Sequence, residues 1–221
     1  MKSILKFKMF IDIRLCKILL RSKGIYFAGF IKHASGMEDI LKKIKNFADK
    51  AHGEQMRKYT PERYIVHPVR VMEMCRQYTN DTAILAAAIL HDVLEDTSVT
   101  QNEMHEFLLT VMDAETSKRA MDLVIELTDV FVKSAYPNFN RRKRKALEVE
   151  RLLKTTAGSQ TIKYADIYDN CFEIVKYDPH FAKIFLSECK NILVKLDKGE
   201  PHLWQKAKDV VDASIKQLEQ R

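Results

Sequence analysis

The chain contains few of the residues that build turns and flexible linkers: only 6 glycines and 5 prolines occur among its 221 residues. Gly/Ser-rich segments, internal repeats and sustained alternation of polar and apolar residues are lacking as well. This composition argues against a turn-rich β fold and favours helices. A chain of this length can form one domain with a sizeable core. We therefore expect an all-α fold of seven to nine helices in a single domain.

Cysteines and long apolar runs are also scarce. The four cysteines form no CxxC pair, which argues against a disulfide framework or a zinc knuckle. We therefore expect reduced thiols in a cytoplasmic protein. The longest apolar run of the N-terminal segment, residues 25–31, is too short to span a bilayer and short for the apolar core of a secretory signal.

The net charge of +7 is confined to the N-terminal segment. Residues 1–36 hold eight Lys and Arg and one acidic residue, whereas the remainder has 29 residues of each sign. The remainder, residues 37–221, is therefore not a basic platform, and we expect no nucleic-acid partner for it. Three interpretations of residues 1–36 are open: translation begins at Met37, where a regular helical pattern starts, or the segment is a basic amphipathic arm, or it is an extra structural helix. We expect membrane contact, if any, only through this segment.

The most informative segment is the apolar run of residues 83–90, which leads directly into an imidazole and three carboxylates. A helix without a polar face is buried on all sides, and buried ionisable groups are costly unless they are paired or bind a metal. We predict one helix over residues 82–95, on which His91 lies one turn from Glu95. Asp92 lies one turn from Asp96 in the same way. The segment therefore predicts a metal site with an acid/base pair.

Further motifs flank this segment in a fixed order. They are Arg57-Lys58, residues 64–68 (YIVHP), residues 89–97 (ILHDVLEDT), residues 163–166 (KYAD) and Asn170. The set resembles the pattern RK…YIxHP…LLHDxxEDT…KxAD of the HD-domain phosphohydrolases, and it extends over more than half of the chain. The resemblance is greatest to the hydrolase domain of the bifunctional (p)ppGpp synthetase/hydrolases and to the small alarmone hydrolases. It implies a single HD-type helical domain over residues 37–221.

The resemblance also implies a divalent metal ion, Mn²⁺, with four protein ligands: His67, His91, Asp92 and Asp166. Two imidazoles and two carboxylates independently suit a divalent transition ion, so zinc, iron and cobalt stay open. In this interpretation Glu95 and Asp96 are catalytic, deprotonating the attacking water and protonating the leaving oxygen. The alternatives are that Asp96 merely ends its helix and that His67 is a capping or core histidine.

The resemblance implies a substrate-binding role for three residues: Arg57, Lys58 and Asn170. A guanidinium beside an ammonium suits several phosphate oxygens, although both residues would also fit a solvated helix end. Asn170 lies one turn beyond Asp166, where it would orient a ligand or contact a ribose. We predict no role for two residues assigned to other faces of this helix: Tyr168 and Asp169.

Two positions depart from the family pattern. Ile167 and Phe172 stand where relatives of this kind carry basic residues, so positive charge is reduced near the expected phosphate pocket. The sequence predicts a metal-dependent phosphohydrolase of a small nucleotide, with removal of the 3′-pyrophosphate of (p)ppGpp-like guanosine nucleotides as the preferred reaction. The alternatives are hydrolysis of another nucleotide or phosphate ester and a non-catalytic nucleotide sensor or scaffold.

Overall fold

A computed structural model describes residues 26–220, and within them the side chains from residue 36 onward except those of Phe172 and Glu173. This part of the chain is helical, and its one extended pairing is an isolated backbone bridge between Met56 and Arg63. It contains nine helices and the single turn α4, which are α1 Tyr26–His52, α2 Val66–Arg76, α3 Thr82–Leu90, α4 Val93–Asp96, α5 Gln101–Val111, α6 Ala114–Leu127, α7 Arg141–Leu152, α8 Ala157–Tyr177, α9 Pro179–Lys195 and α10 Pro201–Glu219. The expected all-α class is confirmed.

Two helices form the centre of this fold. The apolar run becomes α3, whose large side chains Leu85, Ile89 and Leu90 are fully buried. Burial of each such side chain contributes about 1.5–3 kcal/mol. Helix α3 packs against α2, α6 and α8, and α8 also contacts α2, α6, α9 and α10. The C-terminal end of α3 and the middle of α8 are therefore brought together beside α2.

Polar side chains define where the helices begin. Asp81 caps α3 by accepting a hydrogen bond from the backbone N–H of Ala83 at 2.9 Å. Thr100 and Glu103 form the reciprocal capping box at the start of α5 that the sequence predicts. An N-terminal cap of this kind contributes about 1 kcal/mol. Short polar residues therefore divide the chain into helices.

The predicted helix over residues 82–95 is interrupted. Helix α3 ends at Leu90, and α4 begins at Val93. Nδ1 of His91 lies 2.9 Å from the carbonyl oxygen of Ala88, which in a continuous helix would accept the N–H of Asp92. The side chain of His91 thus competes with the backbone, and His91 and Asp92 lie in the turn between two helices.

Two other helix boundaries also differ from expectation. The sequence pattern predicts a helix over residues 141–154 and a break at Gly158 and Ser159, whereas α7 ends at Leu152 and both small residues lie in the first turn of α8. The side chain of Thr156 accepts a hydrogen bond from the N–H of Ser159, so the new helix begins before the glycine. The small residues belong to a helix start and not to a loop.

The N-terminal helix begins earlier than the sequence pattern suggests. Helix α1 starts at Tyr26 and runs across the expected boundary between residues 36 and 37. The unit Ile40–Arg221 is compact and contains all the predicted site residues. Residues 1–25, including Cys16, lie outside the described residues, so the three interpretations of the N-terminal segment stay open.

The cysteines and the apolar character of the helices can be compared with expectation for the described part of the chain. Its three cysteines, Cys75, Cys171 and Cys189, are buried free thiols. None of its helices combines the length and the apolar character that crossing a membrane requires.

Candidate metal centre

Four predicted ligands converge at the junction of α2, the α3–α4 turn and α8. Nε2 of His67 lies 3.6 Å from Oδ2 of Asp92 and 3.3 Å from Oδ1 of Asp166. Nε2 of His91 lies 3.2 Å and 3.9 Å from the same two oxygens. Both imidazoles are buried, with relative exposures of 1 % and 5 %. The structure therefore brings together side chains that are far apart in sequence.

Three of the four predicted donors lie close enough together to share one ion, and the fourth, Oδ1 of Asp166, lies 3.3 Å from Nε2 of His67. With metal–ligand bonds of about 2.1 Å, neighbouring donors around one ion lie about 3.0–3.4 Å apart. The ligand atoms of His67, His91 and Asp92 all lie within 4.8 Å of one another. Nε2 of His91 is buried and has no hydrogen-bond partner among the described residues. A buried nitrogen without a partner is costly, and a metal bond would satisfy it. The residues present fit a divalent ion.

The outer nitrogen of each imidazole is occupied. Nδ1 of His67 lies 2.7 Å from Oδ2 of Asp169, and Nδ1 of His91 lies 2.9 Å from the carbonyl oxygen of Ala88. Both partners only accept hydrogen bonds, so each imidazole donates from Nδ1 and leaves the lone pair of Nε2 for an ion. Asp169 and the carbonyl of Ala88 therefore select the tautomers of His67 and His91 that can bind a metal through Nε2.

The carboxylate ligands are held in the same way. The hydroxyl of Tyr64 donates to Oδ2 of Asp92 at 2.6 Å. Oδ2 of Asp166 accepts from Nζ of Lys163 at 2.8 Å, and its Oδ1 accepts from Nδ2 of Asn170 at 2.6 Å. Such outer partners orient metal ligands and limit their rotation. The Lys of the KYAD motif therefore holds the Asp of the same motif.

The charges of the cluster favour a positive charge at its centre. Burial alone would lower the pKa of His67, but Asp166 reverses the shift and raises it. The pKa of His91 is likewise raised against burial by Asp92 and Asp166. Although burial raises the pKa of Asp166, the Lys163 ammonium and the two imidazoles bring it well below its usual value. An electrostatic environment that binds protons this strongly also suits a divalent cation.

The two predicted catalytic carboxylates both lie in α4. Desolvation by surrounding protein atoms raises the pKa of Glu95 to about 7, and the Asp129 carboxylate adds to the shift. The residue as a whole is nevertheless exposed, and its Oε1 accepts the backbone N–H of Asp129 at 2.5 Å. A carboxyl group with a pKa near neutrality suits proton transfer at physiological pH. Asp96 is exposed at the end of α4, and the catalytic role of both residues stays a prediction.

The basic pair predicted to bind phosphate is split by the fold. The side chain of Arg57 is only 8 % exposed, and its Nη2 donates to Oδ1 of Asn170 at 3.2 Å. Lys58 is 68 % exposed, and its Nζ lies 3.3 Å from Oδ2 of Asp178, at the start of α9. Arg57 thus adjoins the metal ligands, whereas Lys58 is directed to the surface. Asn170 contacts both Arg57 and Asp166, and the substrate-binding role of all three residues stays a prediction.

Sequence analysis missed the contact between Asp169 and His67. We assigned Asp169 to another face of α8, but residues three apart on a helix are neighbours, as are residues four apart. Asp169 therefore lies on the same face as Asp166 and reaches the imidazole. The spacing of Asp166, Asp169 and Asn170 was a signal from which their shared face could have been inferred.

The expectation at Ile167 is also corrected. We treated Ile167 as a lost basic residue of the phosphate pocket, but its side chain is 2 % exposed and belongs to the core. It lies one residue after Asp166 and so falls on a different side of α8. The side chain of Phe172 lies outside the described residues.

A cavity of about 850 Å³ adjoins the metal cluster between α7 and α9. Its walls include the apolar residues Ala146, Val149, Leu152, Ile184 and Ile192, the cations Arg141, Arg142, Lys145, Lys163 and Lys183, and the carboxylates Asp129, Glu148 and Glu188. Two of the cations are paired with these carboxylates, Lys145 with Asp129 and Arg141 with Glu188. Lys163 lines this cavity and also donates to the ligand Asp166. Asp129 lines it as well and donates its backbone N–H to Glu95. The cavity and the metal cluster therefore share a boundary.

Comparison with known proteins identifies the class. A family model described as an HD domain matches residues 45–167, more than half of the chain. The chain belongs to the HD-domain family, and the adjacent His91 and Asp92 lie within the matched region.

Individual relatives agree with the resemblance found in the motifs, which is thereby confirmed. A Mycoplasma pneumoniae protein named probable guanosine-3′,5′-bis(diphosphate) 3′-pyrophosphohydrolase is 26% identical over 194 residues, which are 85% of this chain and 25% of that protein. The chain thus spans about a quarter of that relative's length. The human protein named guanosine-3′,5′-bis(diphosphate) 3′-pyrophosphohydrolase MESH1 is 30% identical over 143 residues, 63% of this chain and 72% of that protein.

A solved structure shares the fold. It is described as a metazoan ortholog of SpoT that hydrolyses ppGpp, and it superposes with a TM-score of 0.65. Its sequence is 22% identical, and the match covers 79% of this chain and 94% of that one.

Proposed function

We propose that this chain is a metal-dependent phosphohydrolase that removes pyrophosphate from the 3′ position of ppGpp-like guanosine nucleotides. The observation that carries the proposal is the convergence of His67, His91, Asp92 and Asp166 in a chain whose relatives bear that activity in their names. We further propose that the protein acts in the cytoplasm on this small-molecule substrate.

The same four residues would hold the ion, and we propose Mn²⁺ from the family resemblance. A mixed nitrogen and oxygen donor set accepts several divalent ions. When bound, such an ion supplies Lewis-acid activation of a water molecule and of a phosphoryl oxygen. The chain itself contributes the orientation of the ligands, since Tyr64, Lys163 and Asn170 hold the carboxylates.

Glu95 is the proposed general base. A water oxygen forms a bond to the phosphorus attached to the 3′ oxygen, and the bond from that phosphorus to the 3′ oxygen breaks. Glu95 accepts the proton of the water, and the 3′ oxygen takes up a proton, with Asp96 as its proposed donor. A base with a pKa of about 7 is partly ionised at neutral pH and can therefore serve this step.

The cavity between α7 and α9 is the proposed site for the nucleoside part of the substrate. Its volume lies within the range of about 300–1,000 Å³ that is typical of small-molecule sites. Apolar walls suit a purine, and the cations at its boundary suit phosphate groups. Because Lys163 joins the cavity to Asp166, a nucleotide bound there would have its phosphates beside the metal ligands.

The test is a substrate and metal panel with the full chain. Protein freed of metal by chelation is reloaded separately with Mn²⁺, Mg²⁺ or Zn²⁺ and incubated with ppGpp, GDP or an unrelated phosphate ester. We expect GDP and pyrophosphate from ppGpp with Mn²⁺, resolved by ion-exchange chromatography. GDP serves as the matched control because it lacks the 3′-diphosphate.

Two outcomes would contradict parts of the proposal. Activity on the unrelated ester without activity on ppGpp would refute the substrate and leave a phosphohydrolase. Tight binding of nucleotide without turnover of any substrate, in metal-loaded protein, would support the non-catalytic sensor instead.

A further inference from the structure

Asp169 makes a buried contact with a predicted metal ligand. Its Oδ2 lies 2.7 Å from Nδ1 of His67, and the two side chains are 10 % and 1 % exposed. An ionised carboxylate can only accept, so this contact requires a proton on Nδ1 of His67. With that proton in place, Nε2 carries the lone pair that points towards Asp92 and Asp166.

A counter-ion holds Asp169 in turn. Nη2 of Arg57 lies 3.7 Å from Oδ2 of Asp169, and the side chain of Arg57 is itself 8 % exposed. A buried carboxylate is costly unless an opposite charge accompanies it. Arg57 comes from the loop before α2, so the pair connects that loop to α8.

The same arginine closes a ring of side chains around the cluster. Arg57 donates to Asn170, and Asn170 donates to the ligand Asp166. The ring runs from His67 through Asp169, Arg57 and Asn170 to Asp166, whose Oδ1 lies 3.3 Å from Nε2 of His67. One imidazole ligand and one carboxylate ligand are thus oriented by a shared set of partners.

We propose that Asp169 is a positioning residue of the metal centre, which fixes the tautomer and ring orientation of His67 with Arg57 as its counter-ion. The inference rests on the metal-binding part of the proposed function and is independent of the substrate. Asp169 acts through His67 and contacts no reacting atom. Removal of such an outer partner typically weakens metal binding by about 10- to 100-fold.

The first test measures metal affinity. Mn²⁺ and Zn²⁺ are titrated into metal-free full chain by calorimetry, for the wild type and for Asp169→Asn, which keeps the side-chain shape and removes the charge. The Asn amide can donate to Nδ1 and thereby select the tautomer with a proton on Nε2, which cannot ligate. We expect a Kd about 10- to 100-fold higher for Asp169→Asn. Asp122→Asn, at an exposed Asp paired with Lys118 on α6, is the matched control and should leave the Kd unchanged.

The second test reads the tautomer directly. Two-bond ¹H–¹⁵N NMR spectra of histidine-labelled protein distinguish a proton on Nδ1 from one on Nε2, and the signal of His67 is assigned with His67→Gln. We expect the Nδ1-protonated form of His67 in the wild type and its loss in Asp169→Asn. Asp169→Glu, which restores a carboxylate, should recover part of the metal affinity. A residue that serves folding alone would not change the tautomer.

The outcomes separate this inference from the proposed function. A wild-type protein that binds none of the ions would overturn both. Wild-type binding with an equal Kd and an equal His67 tautomer in Asp169→Asn would overturn the positioning role alone. If metal-free Asp169→Asn loses its helical circular dichroism and so fails to fold, the Asp169→Glu variant provides the test. An unchanged Kd in Asp169→Glu, with the glutamate carboxylate displaced from Nδ1 of His67, would contradict the positioning role of Asp169.

Discussion

At the scale of single residues, the two imidazoles depend on different kinds of partner. His67 is oriented by a side chain, Asp169, whereas His91 is oriented by the backbone carbonyl of Ala88. A substitution can remove the first partner but not the second. The orientation of His91 is therefore a property of the end of α3, and that of His67 depends on individual side chains of α8.

Asp92 is the predicted ligand whose removal should be most informative. Asp92→Ala deletes a donor oxygen that lies 3.2 Å from one imidazole and 3.6 Å from the other. We expect loss of both metal retention, measured by elemental analysis after gel filtration, and turnover. Asp122→Ala on the surface of α6 is the control. Retention of metal and activity in Asp92→Ala would disprove its assignment as a ligand.

Glu95→Gln should separate chemistry from metal binding. The amide keeps the shape of the side chain but cannot accept a proton, so we expect turnover to fall about 10²–10⁴-fold with metal content near that of the wild type. Loss of the metal in this variant would instead make Glu95 a ligand.

The raised pKa of Glu95 also predicts a pH dependence. An acid with a pKa of about 7 is mostly protonated below that pH and becomes a base only above it. We therefore expect kcat/KM of the wild type to rise with pH through about 7, and this limb to be absent in Glu95→Gln. The measurement is a pH profile at saturating metal. A wild-type profile that is flat in this range would contradict the role of Glu95 as the base.

Residue types alone indicated a metal site at His91 and Asp92, because imidazoles and carboxylates at the end of a buried apolar helix are costly unless they are paired or bind a metal. His67 and Asp166 were added through the resemblance to the ordered motifs of the HD-domain phosphohydrolases. The partners of those ligands were harder to predict. Whether Asp169 reaches His67 depends on how α8 is rotated against α2, and no local pattern specifies that rotation. Ile167 was misjudged for the same reason.

At the scale of helices, the turn between α3 and α4 directs the HD pair. An apolar run indicates that a helix is buried but not where it ends, because it contains no capping or helix-breaking residue. The bond from His91 to the carbonyl of Ala88 decides the end, and it was not predictable from periodicity. The capping box at Thr100 was predictable because its two residues lie only three positions apart in sequence.

Helix α8 contributes Asp166 and Asp169 to the candidate metal centre from one side and Ile167 to the core from another. A substitution at Ile167 should therefore affect stability. Ile167→Arg would place a charge in the core, so we expect a loss of about 3–5 kcal/mol in unfolding free energy. Ile125→Arg makes the same exchange on α6 at a side chain that is 40% exposed, and should change stability little. Urea unfolding followed by circular dichroism measures both. Improved ppGpp hydrolysis without loss of stability would show that Ile167 faces the pocket after all.

At the scale of the whole molecule, the helical class followed from the shortage of glycine and proline and from apolar spacing of three and four residues. The apolar spacing reports which side of each helix is buried, and burial of that side determines where most of the helices form. The start of α1 was misplaced: the helix already includes residues 26–36, among which Lys32 is the only Lys, Arg, Asp or Glu.

The boundary predicted at residue 37 gives a truncation test. A chain beginning at Met37 retains Leu41, Ile44 and Ala48, the buried residues of α1. We expect its thermal midpoint and its activity to match those of the full chain. Insolubility, or a markedly lower midpoint, would show that residues 1–36 are needed for the stability of the domain.

Removal of the metal should lower thermal stability. An ion at 100 times its Kd stabilises the folded state by about 2.7 kcal/mol, which for a domain of this size raises the midpoint by about 5–10 °C. Scanning calorimetry with and without a chelator measures the difference. Equal midpoints in the wild type would contradict metal binding at this site, and Asp92→Ala should show no response to added metal.

The predicted ligands lie far apart along the chain, so a bound metal ion would also cross-link distant segments. His67 and Asp166 are about a hundred residues apart, so an ion bound to both acts as a reversible cross-link across a long loop, whose closure is entropically costly in the unfolded chain. Opening of either α2 or α8 would then require release of the ion. Their amide hydrogens should exchange with solvent more slowly, and as one cooperative group, when metal is present. Helix α5, which supplies none of the four ligands, should exchange at a rate that depends much less on the ion.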